Sequence, residues 1–160
     1  MEQVSRIVSG GQSGVDRAAL DFAIAHGVAY GGWCPKTGWA EDMVEPPGLL
    51  ARYPDLKETP DRDPRQRTRW NVRDTDATLI FLPREGQAPS PGTAYAIASA
   101  RELTRPFLIA HLWDEESPAR IREWLDSHAN PLALNVAGPR ETQAPGIYAA
   151  VRAVLDAVWR

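Results

Sequence analysis

Cysteine is almost absent from this 160-residue chain, which contains only Cys34, so an internal disulfide is excluded. Histidine is also scarce. The three histidines and the one cysteine show none of the paired spacings that zinc sites use, and we expect no structural metal. Long apolar runs are missing as well. A membrane-spanning helix needs ~20 apolar residues in a row, and no segment approaches that length, so no membrane association is predicted.

An excess of positive charge is likewise absent. The chain carries 18 Lys and Arg against 21 Asp and Glu, a formal net charge of −3. This argues against nucleic-acid binding, because domains that bind nucleic acids are usually basic. Residues 1–6 lack the charged and apolar blocks of a signal peptide, so we expect a cytoplasmic protein. The composition, with 43% hydrophobic and 24% charged residues, is typical of one globular domain over residues 1–160.

The sequence does contain a regular alternation of apolar runs and amphipathic segments. The apolar runs predict five strands, at residues 4–9, 28–33, 77–83, 107–113 and 132–137. The segments with a helical period predict five helices, at residues 15–26, 67–74, 94–103, 118–129 and 146–159. Residues 34–66 contain six prolines and no sustained period. A segment of this length is either a solvated excursion or a functional loop.

A βα unit repeated about five times predicts an α/β fold, namely a doubly wound three-layer domain with a mainly parallel sheet of about five strands. Counting the predicted strands along the chain, we favour the order 3-2-1-4-5, with 2-1-3-4-5 as the alternative. In open sheets of this type, ligands bind outside the carboxyl ends of the strands.

Glycine-containing turns occur at three such positions, at residues 9–14, 91–93 and 138–142. Where a turn opens onto a helix, unpaired N–H groups and the helix dipole favour an anion. The convergence of these turns on one sheet edge, beside Thr93 and Arg140, favours a phosphate. The candidate phosphate-binding residues are Gly10, Gly11, Gln12, Ser13, Gly14, Gly92, Thr93, Gly138 and Arg140.

Known catalytic and nucleotide-binding motifs do not match the first turn. The order of its glycines is not G-x-G-x-x-G, and no lysine follows Gly14 as in a Walker A loop. The turn resembles a nucleophile elbow around Ser13, but Val15 stands where the last glycine of that motif belongs. The three histidines have no evident relation to Ser13. We therefore predict no catalytic residue.

Five arginines lie within twelve residues, at positions 62, 65, 67, 69 and 73. One interpretation is a solvated charged helix face. In the other interpretation, one or two of these guanidinium groups donate paired hydrogen bonds to a ligand phosphate. The tryptophans at positions 33, 39 and 70 could offer a flat wall to a ring, although such residues more often belong to a core or an interface.

Several motifs together resemble those of a family named for carrying the molybdenum cofactor. The matching segments are residues 9–19 (SGGQSGVDRAA), 34–36 (CPK), 40–42 (AED), 67–78 (RT-x-x-NV-x-D-x-DAT), 91–93 (PGT) and 135–141 (NVAGPRE). They extend over essentially the whole chain. The resemblance implies a Rossmann-like fold of the superfamily that includes the LOG (lysine-decarboxylase-like) proteins, which bind nucleotides or similar ligands. It also implies a homo-oligomer.

The sequence departs from these families at three places. Pro91 precedes Gly92 where the carrier family usually has a second glycine, and proline removes an amide donor from the loop. Thr37 follows Lys36 where the family tends to continue with Gly-Arg. The LOG phosphoribohydrolases place a catalytic glutamate where this chain has Ala96, so the resemblance does not extend to that reaction.

These features favour a binding protein, namely a carrier, store or sensor for a small phosphate-bearing ligand such as molybdenum cofactor or a nucleotide. Lys36 would reach the ligand from the loop after the second strand. The alternative is an enzyme acting on a nucleotide or sugar phosphate, for which the available carboxylates are Asp16, Glu41, Asp42 and Glu141. A third possibility is a partner-binding subunit with a vestigial pocket.

Overall fold

The computed structural model describes residues 3–160. Its main sheet contains five parallel strands: β1 (Val4–Val8), β2 (Ala29–Gly31), β5 (Ala77–Leu82), β6 (Phe107–His111) and β7 (Leu132–Ala137). A second, two-stranded parallel sheet consists of β3 (Trp33–Cys34) and β4 (Lys57–Glu58). The predicted α/β fold with a five-stranded parallel sheet is confirmed.

Helices cover both faces of the main sheet. They are α1 (Val15–Ala25), α2 (Leu49–Arg52), α3 (Pro64–Arg73), α4 (Pro91–Glu102), α5 (Ser117–Asp126) and α6 (Ile147–Trp159). The side chains of β5 alternate between the two faces. Leu79 and Phe81 belong to the core with α1, α5 and α6, whereas Ile80 and Leu82 pack against α4. These three layers are those of a Rossmann-like domain.

The strand order is β2-β1-β7-β5-β6, so both predicted orders are wrong. Counted as predicted strands, the order is 2-1-5-3-4: the last strand lies at the centre of the sheet. Its residues pair with both neighbours, Leu134 with Ile7 on one side and with Ala77 on the other. Leu132, Leu134 and Val136 are buried on β7. This apolar strand is suited to a central position, because central strands of a parallel sheet are covered on both faces.

The predicted strand over residues 28–33 is interrupted at Gly32. Here β2 ends and the chain turns into β3, and an added Cβ would lie 2.4 Å from the carbonyl oxygen of Ser9. Residues 34–66 then form a packed excursion rather than a solvated loop. Its own small core joins Leu49, Tyr53 and Leu56 to Cys34. The excursion is therefore anchored beside the carboxyl end of β1.

No helix within residues 3–160 is long and apolar enough to cross a bilayer. The same described residues hold no group of three or more His, Cys, Asp and Glu side chains that could bind a metal ion.

Candidate functional site

A cavity of about 530 Å³ opens at the carboxyl edge of the main sheet. The segments that follow β1 and β7 form its floor, and the helices α3 and α4 form its walls. Buried polar side chains face this space, among them Gln12, Asp16, Thr93 and Asn135. It occupies the position at which open parallel sheets bind their ligands.

Six of the ten predicted binding residues line this cavity: Gly10, Gln12, Gly92, Thr93, Gly138 and Arg140. The structure therefore brings the three glycine turns to one place, as their positions after the strands suggested. The other four predicted residues do not line the cavity: Gly11, Ser13, Gly14 and Lys36.

The N-terminus of α4 is open to the cavity, whereas the N-terminus of α1 is not. Pro91 is its first residue, and the N-cap residue Ser90 makes no side-chain hydrogen bond to the backbone. Instead the hydroxyl of Ser90 donates to the hydroxyl of Thr93 at 3.1 Å. A Cβ added at Gly92 would meet no atom within 4 Å. Amides in the first turn of a helix have no intrahelical acceptor, so this end of the cavity offers N–H donors to a ligand.

Other parts of the chain fill the space beside the first glycine turn, residues 9–14. A Cβ at Gly10 would lie 2.1 Å from Nη1 of Arg67, and one at Gly11 would lie 2.9 Å from a methyl carbon of Leu49. A Cβ at Gly14 would meet the backbone of the β7–α6 loop, and the first amide of α1, at Val15, donates to the carbonyl of Pro139 at 3.2 Å. These glycines thus allow close packing within the chain.

Lys36 is exposed and lies at a separate shallow hollow of about 480 Å³, together with Pro60, Asp61, Arg62 and Gln66. Lys36 does not line the main cavity. The spacing of residues in the sequence does not encode where the turn after β3 places Lys36.

Glu41 joins three loops at the rim of the cavity. It accepts hydrogen bonds from the hydroxyls of Ser13 and Thr142, the latter at 2.9 Å, and lies 3.6 Å from Nη1 of Arg140. Its backbone N–H donates to Oε1 of Gln12 at 2.9 Å. Burial opposes ionisation of Glu41, but these hydrogen bonds and the charge of Arg140 lower its pKa below the usual value. Glu41 is therefore ionised, and its contacts link the three loops at the rim of the cavity.

Two other candidate carboxylates are also engaged in structural contacts. Asp42 accepts two hydrogen bonds from the guanidinium of Arg17, at 2.8 and 2.9 Å, which lower its pKa against the effect of burial. Glu141 accepts the backbone N–H groups of Gly146 and Tyr148, at 2.8 and 2.9 Å, at the start of α6. Neither residue lines the cavity.

Asp16 and Arg67 form a buried ion pair on the cavity that sequence reasoning missed. Nη1 of Arg67 donates to Oδ2 of Asp16 at 3.1 Å. Burial raises the pKa of Asp16, although the charge of Arg67 and the backbone N–H of Gln12 oppose this rise. The sequence analysis singled out Arg67 within the arginine run and Asp16 among the available carboxylates, but it did not pair them. Their pairing joins positions 51 apart, which no local pattern predicts.

Of the arginine run, only Arg65 and Arg67 line the cavity within the described chain. Arg65 is exposed and bound to Asp63, whereas Arg69 and Arg73 pair with Glu102 and Asp74 on the outer surface. The charged-face interpretation thus fits most of the run. The three tryptophans lie outside the cavity: Trp33 and Trp70 pack edge to face, and Trp39 lies under the guanidinium of Arg140.

Cys34 is fully buried in the core of the excursion and does not line the cavity. Burial raises the pKa of its thiol to about 11, so little thiolate is present at neutral pH. We expect the native protein to resist alkylation by iodoacetamide at pH 8, and the urea-unfolded protein to react at the rate of a free cysteine. Mass spectrometry of the alkylated chain measures both rates. Rapid modification of the folded chain would contradict the assigned burial.

Comparison with known proteins supports the sequence resemblance. A model of the circularly permutated YpsA SLOG family (cpYpsA) matches residues 7–159. A solved crystal structure of a "Putative molybdenum carrier protein" from Syntrophus aciditrophicus SB is similar to this chain, with 37% sequence identity and a TM-score of 0.89. The alignment covers 99% of this chain and 97% of that chain. Among curated proteins, none matches.

Proposed function

Because the chain belongs to the circularly permutated YpsA SLOG family, we propose that it binds a small phosphate-bearing ligand in the cavity at the ends of β1 and β7. It would act as a carrier or store for that ligand. Molybdenum cofactor, a pterin bearing a phosphate, is the favoured ligand, because the similar solved structure is named a molybdenum carrier. A nucleotide is the alternative that the experiment must distinguish.

The open N-terminus of α4 carries this proposal. Gly92 leaves free space above the first turn of the helix, and Thr93 is buried on the same cavity. An anion at a helix N-terminus is stabilised by unpaired N–H groups and by the helix dipole. A cavity of about 530 Å³ lies within the ~300–1,000 Å³ usual for small-ligand sites.

The residues present suit the phosphate and the polar ring of such a cofactor. Gly92, Thr93 and Arg140 would hold the phosphate, and the buried polar groups Gln12 and Asn135 would face the rest of the ligand. A thiolate ligand to molybdenum would have to come from Cys34, which lies outside the cavity. The chain would therefore hold the cofactor without a protein thiolate on the molybdenum.

The first experiment is to purify the protein from a host that makes the cofactor, denature it, and identify the released ligand by mass spectrometry and elemental analysis. A ligand present at about one hundred times its dissociation constant adds ~2.7 kcal/mol of stability, enough to be retained. A pterin with molybdenum would support the carrier function. A nucleotide without metal would support the alternative, and an empty protein from several hosts would contradict both.

Replacement of Gly92 by leucine tests the location of the site. The leucine side chain would extend into the space where the phosphate is placed, and the helix tolerates it because no atom lies within 4 Å of the added Cβ. We expect the affinity for the released ligand, measured by calorimetric titration, to fall by about tenfold or more, a loss of ~1.4 kcal/mol in binding. The matched control is Ala98→Leu, an exposed position farther along α4. Equal affinity of both variants for the ligand would contradict the proposed site.

A further inference from the structure

Two buried N–H groups on the cavity have no hydrogen-bond acceptor among residues 3–160. They are Nε2 of Gln12 and Nε of Arg67. Gln12 is 4% exposed, and its Oε1 accepts the backbone N–H groups of Ser13 and Glu41, at 3.1 and 2.9 Å. These two donors fix the orientation of the amide, because a flipped amide would place its NH₂ group against them. A buried donor without an acceptor destabilises the fold, so it calls for an explanation.

Arg67 lies flat on the first glycine turn with most of its hydrogen-bonding capacity unused. Its guanidinium is packed against Gly10, where a Cβ would lie 2.1 Å from Nη1. Its side chain is 12% exposed, and the hydrogen bond from Nη1 to Asp16 is the one side-chain hydrogen bond it makes to the described residues. A guanidinium offers five N–H donors, and its fork matches the oxygens of phosphate and similar anions.

We propose that Gln12 and Arg67 form an oxyanion site on the floor of the cavity, in addition to the phosphate position at the N-terminus of α4. The inference rests on the proposed function, because both positions lie on the cavity assigned to the ligand. The ligand would then carry two anionic groups. The second is an oxyanion of the phosphate or molybdate class, whether part of an organic ligand or a free ion. Both unpaired nitrogens are buried, so side chains on this side of the cavity must rearrange before the anion contacts them.

Asp16 sets the net charge of this site. Its carboxylate is buried and lies on the same cavity, 3.1 Å from the Arg67 guanidinium. While Asp16 is ionised, the pair is neutral, and an incoming anion gains N–H donors but also meets a negative charge. Replacement of Asp16 by asparagine keeps an oxygen that can accept from Arg67 and removes that negative charge. The variant should therefore bind an oxyanion more tightly than the wild type, whereas a purely structural ion pair predicts no such gain.

The test measures molybdate binding by equilibrium dialysis with elemental analysis, repeated with inorganic phosphate by calorimetry. We expect the wild type to bind two anions per chain, and Arg67→Gln and Gln12→Leu to bind one. The control Arg69→Gln should still bind two, because Arg69 lies on the same helix but pairs with Glu102 at 2.9 Å outside the cavity. Asp16→Asn should bind the anion about threefold tighter or more.

The outcomes separate this site from the proposed function. Loss of one anion in Arg67→Gln, with retention in Arg69→Gln, supports the inference. Unchanged binding in Arg67→Gln, or no binding by the wild type at about 10 mM anion, overturns it. Loss in Gly92→Leu alone would support the α4 position and overturn the inference. Thermal unfolding verifies that each variant is folded. If Arg67→Gln is unfolded, the opposite shifts expected of Gln12→Leu and Asp16→Asn decide the question.

Discussion

Substitution of Gly14 by alanine should lower the free energy of unfolding by about 3 kcal/mol, the sum of two costs. Gly14 has a φ of +81°, a conformation that costs an L-residue roughly 1–2 kcal/mol. The added Cβ would also lie 2.5 Å from the carbonyl oxygen of Pro139 and 2.7 Å from the amide nitrogen of Glu141. Both contacts are backbone atoms of the β7–α6 loop, so relief requires that loop to move. Urea unfolding measures the loss.

Gly27 provides the matched control, because its φ is +67° but an added Cβ would meet nothing within 4 Å. Gly27→Ala therefore measures backbone strain alone, about 1 kcal/mol. The difference between the two variants isolates the close approach of α1 to the β7–α6 loop. Since Gly138 and Arg140 belong to that loop and line the cavity, Gly14→Ala should also lose co-purified ligand. Equal stability losses in the two variants would show that the loop does not pack on Gly14 as described.

Neutralising Glu41 should lower the free energy of unfolding at neutral pH. It should also make that free energy less dependent on pH in the acidic range. Glu41→Gln keeps one acceptor oxygen but loses the charge that faces Arg140 at 3.6 Å and strengthens the hydrogen bonds from Ser13 and Thr142. Hydrogen bonds to a charged group contribute about 1.5–3 kcal/mol, so we expect a loss of about 1–2 kcal/mol at pH 7. Urea unfolding from pH 7 down to acid measures it.

The direction of the pH effect follows from the lowered pKa of Glu41. A carboxylate whose pKa is lower in the folded than in the unfolded state stabilises the fold above the unfolded pKa, near the ordinary 4.5. That contribution is lost as the pH falls through the folded pKa. The difference between wild type and Glu41→Gln should therefore shrink toward zero in acid. Glu45→Gln, an exposed position in the same segment, should follow the wild type. A constant difference across this range would contradict the role of the charge.

The sequence was sufficient to predict the sheet and its helices because each element carries its own local pattern. The apolar run that becomes β5 and the period of α6 are of this kind, and the structure has both. The convergence of Gln12, Thr93 and Arg140 was also predictable, because all follow from the rule that strand ends share one edge. That rule needs no knowledge of strand order.

What the sequence could not provide were the pairings between distant residues. Asp16 was a candidate catalytic carboxylate, yet it pairs with Arg67, which lies on α3. Gly11 suggested a phosphate cradle, yet its missing Cβ accommodates Leu49 from the excursion. In both cases the partner comes from a distant part of the chain, and its position depends on tertiary packing rather than on any local period.

The prediction of the strand order was wrong for a related reason. Both predicted orders assume that a chain adds strands outward from its beginning, whereas here β7 pairs between β1 and β5. The family is described as circularly permutated, and a permutation changes which strand comes last without changing the sheet. Burial of both faces of β7 was the physical sign of a central strand, but apolar composition alone does not rank one buried strand above another.

The central position of β7 also determines when the sheet can close during synthesis. Before Leu132 is translated, the chain can form the β1–β2 pair and the β5–β6 pair, but nothing joins them. We expect contacts between residues as far apart as Val4 and Leu132 to form late and to slow the folding of the domain. A nascent chain stalled before this strand would leave the inner edges of β1 and β5 unpaired and exposed to solvent. Unpaired edges of this kind start aggregation, so the chain should depend on chaperones until its last strand has left the ribosome.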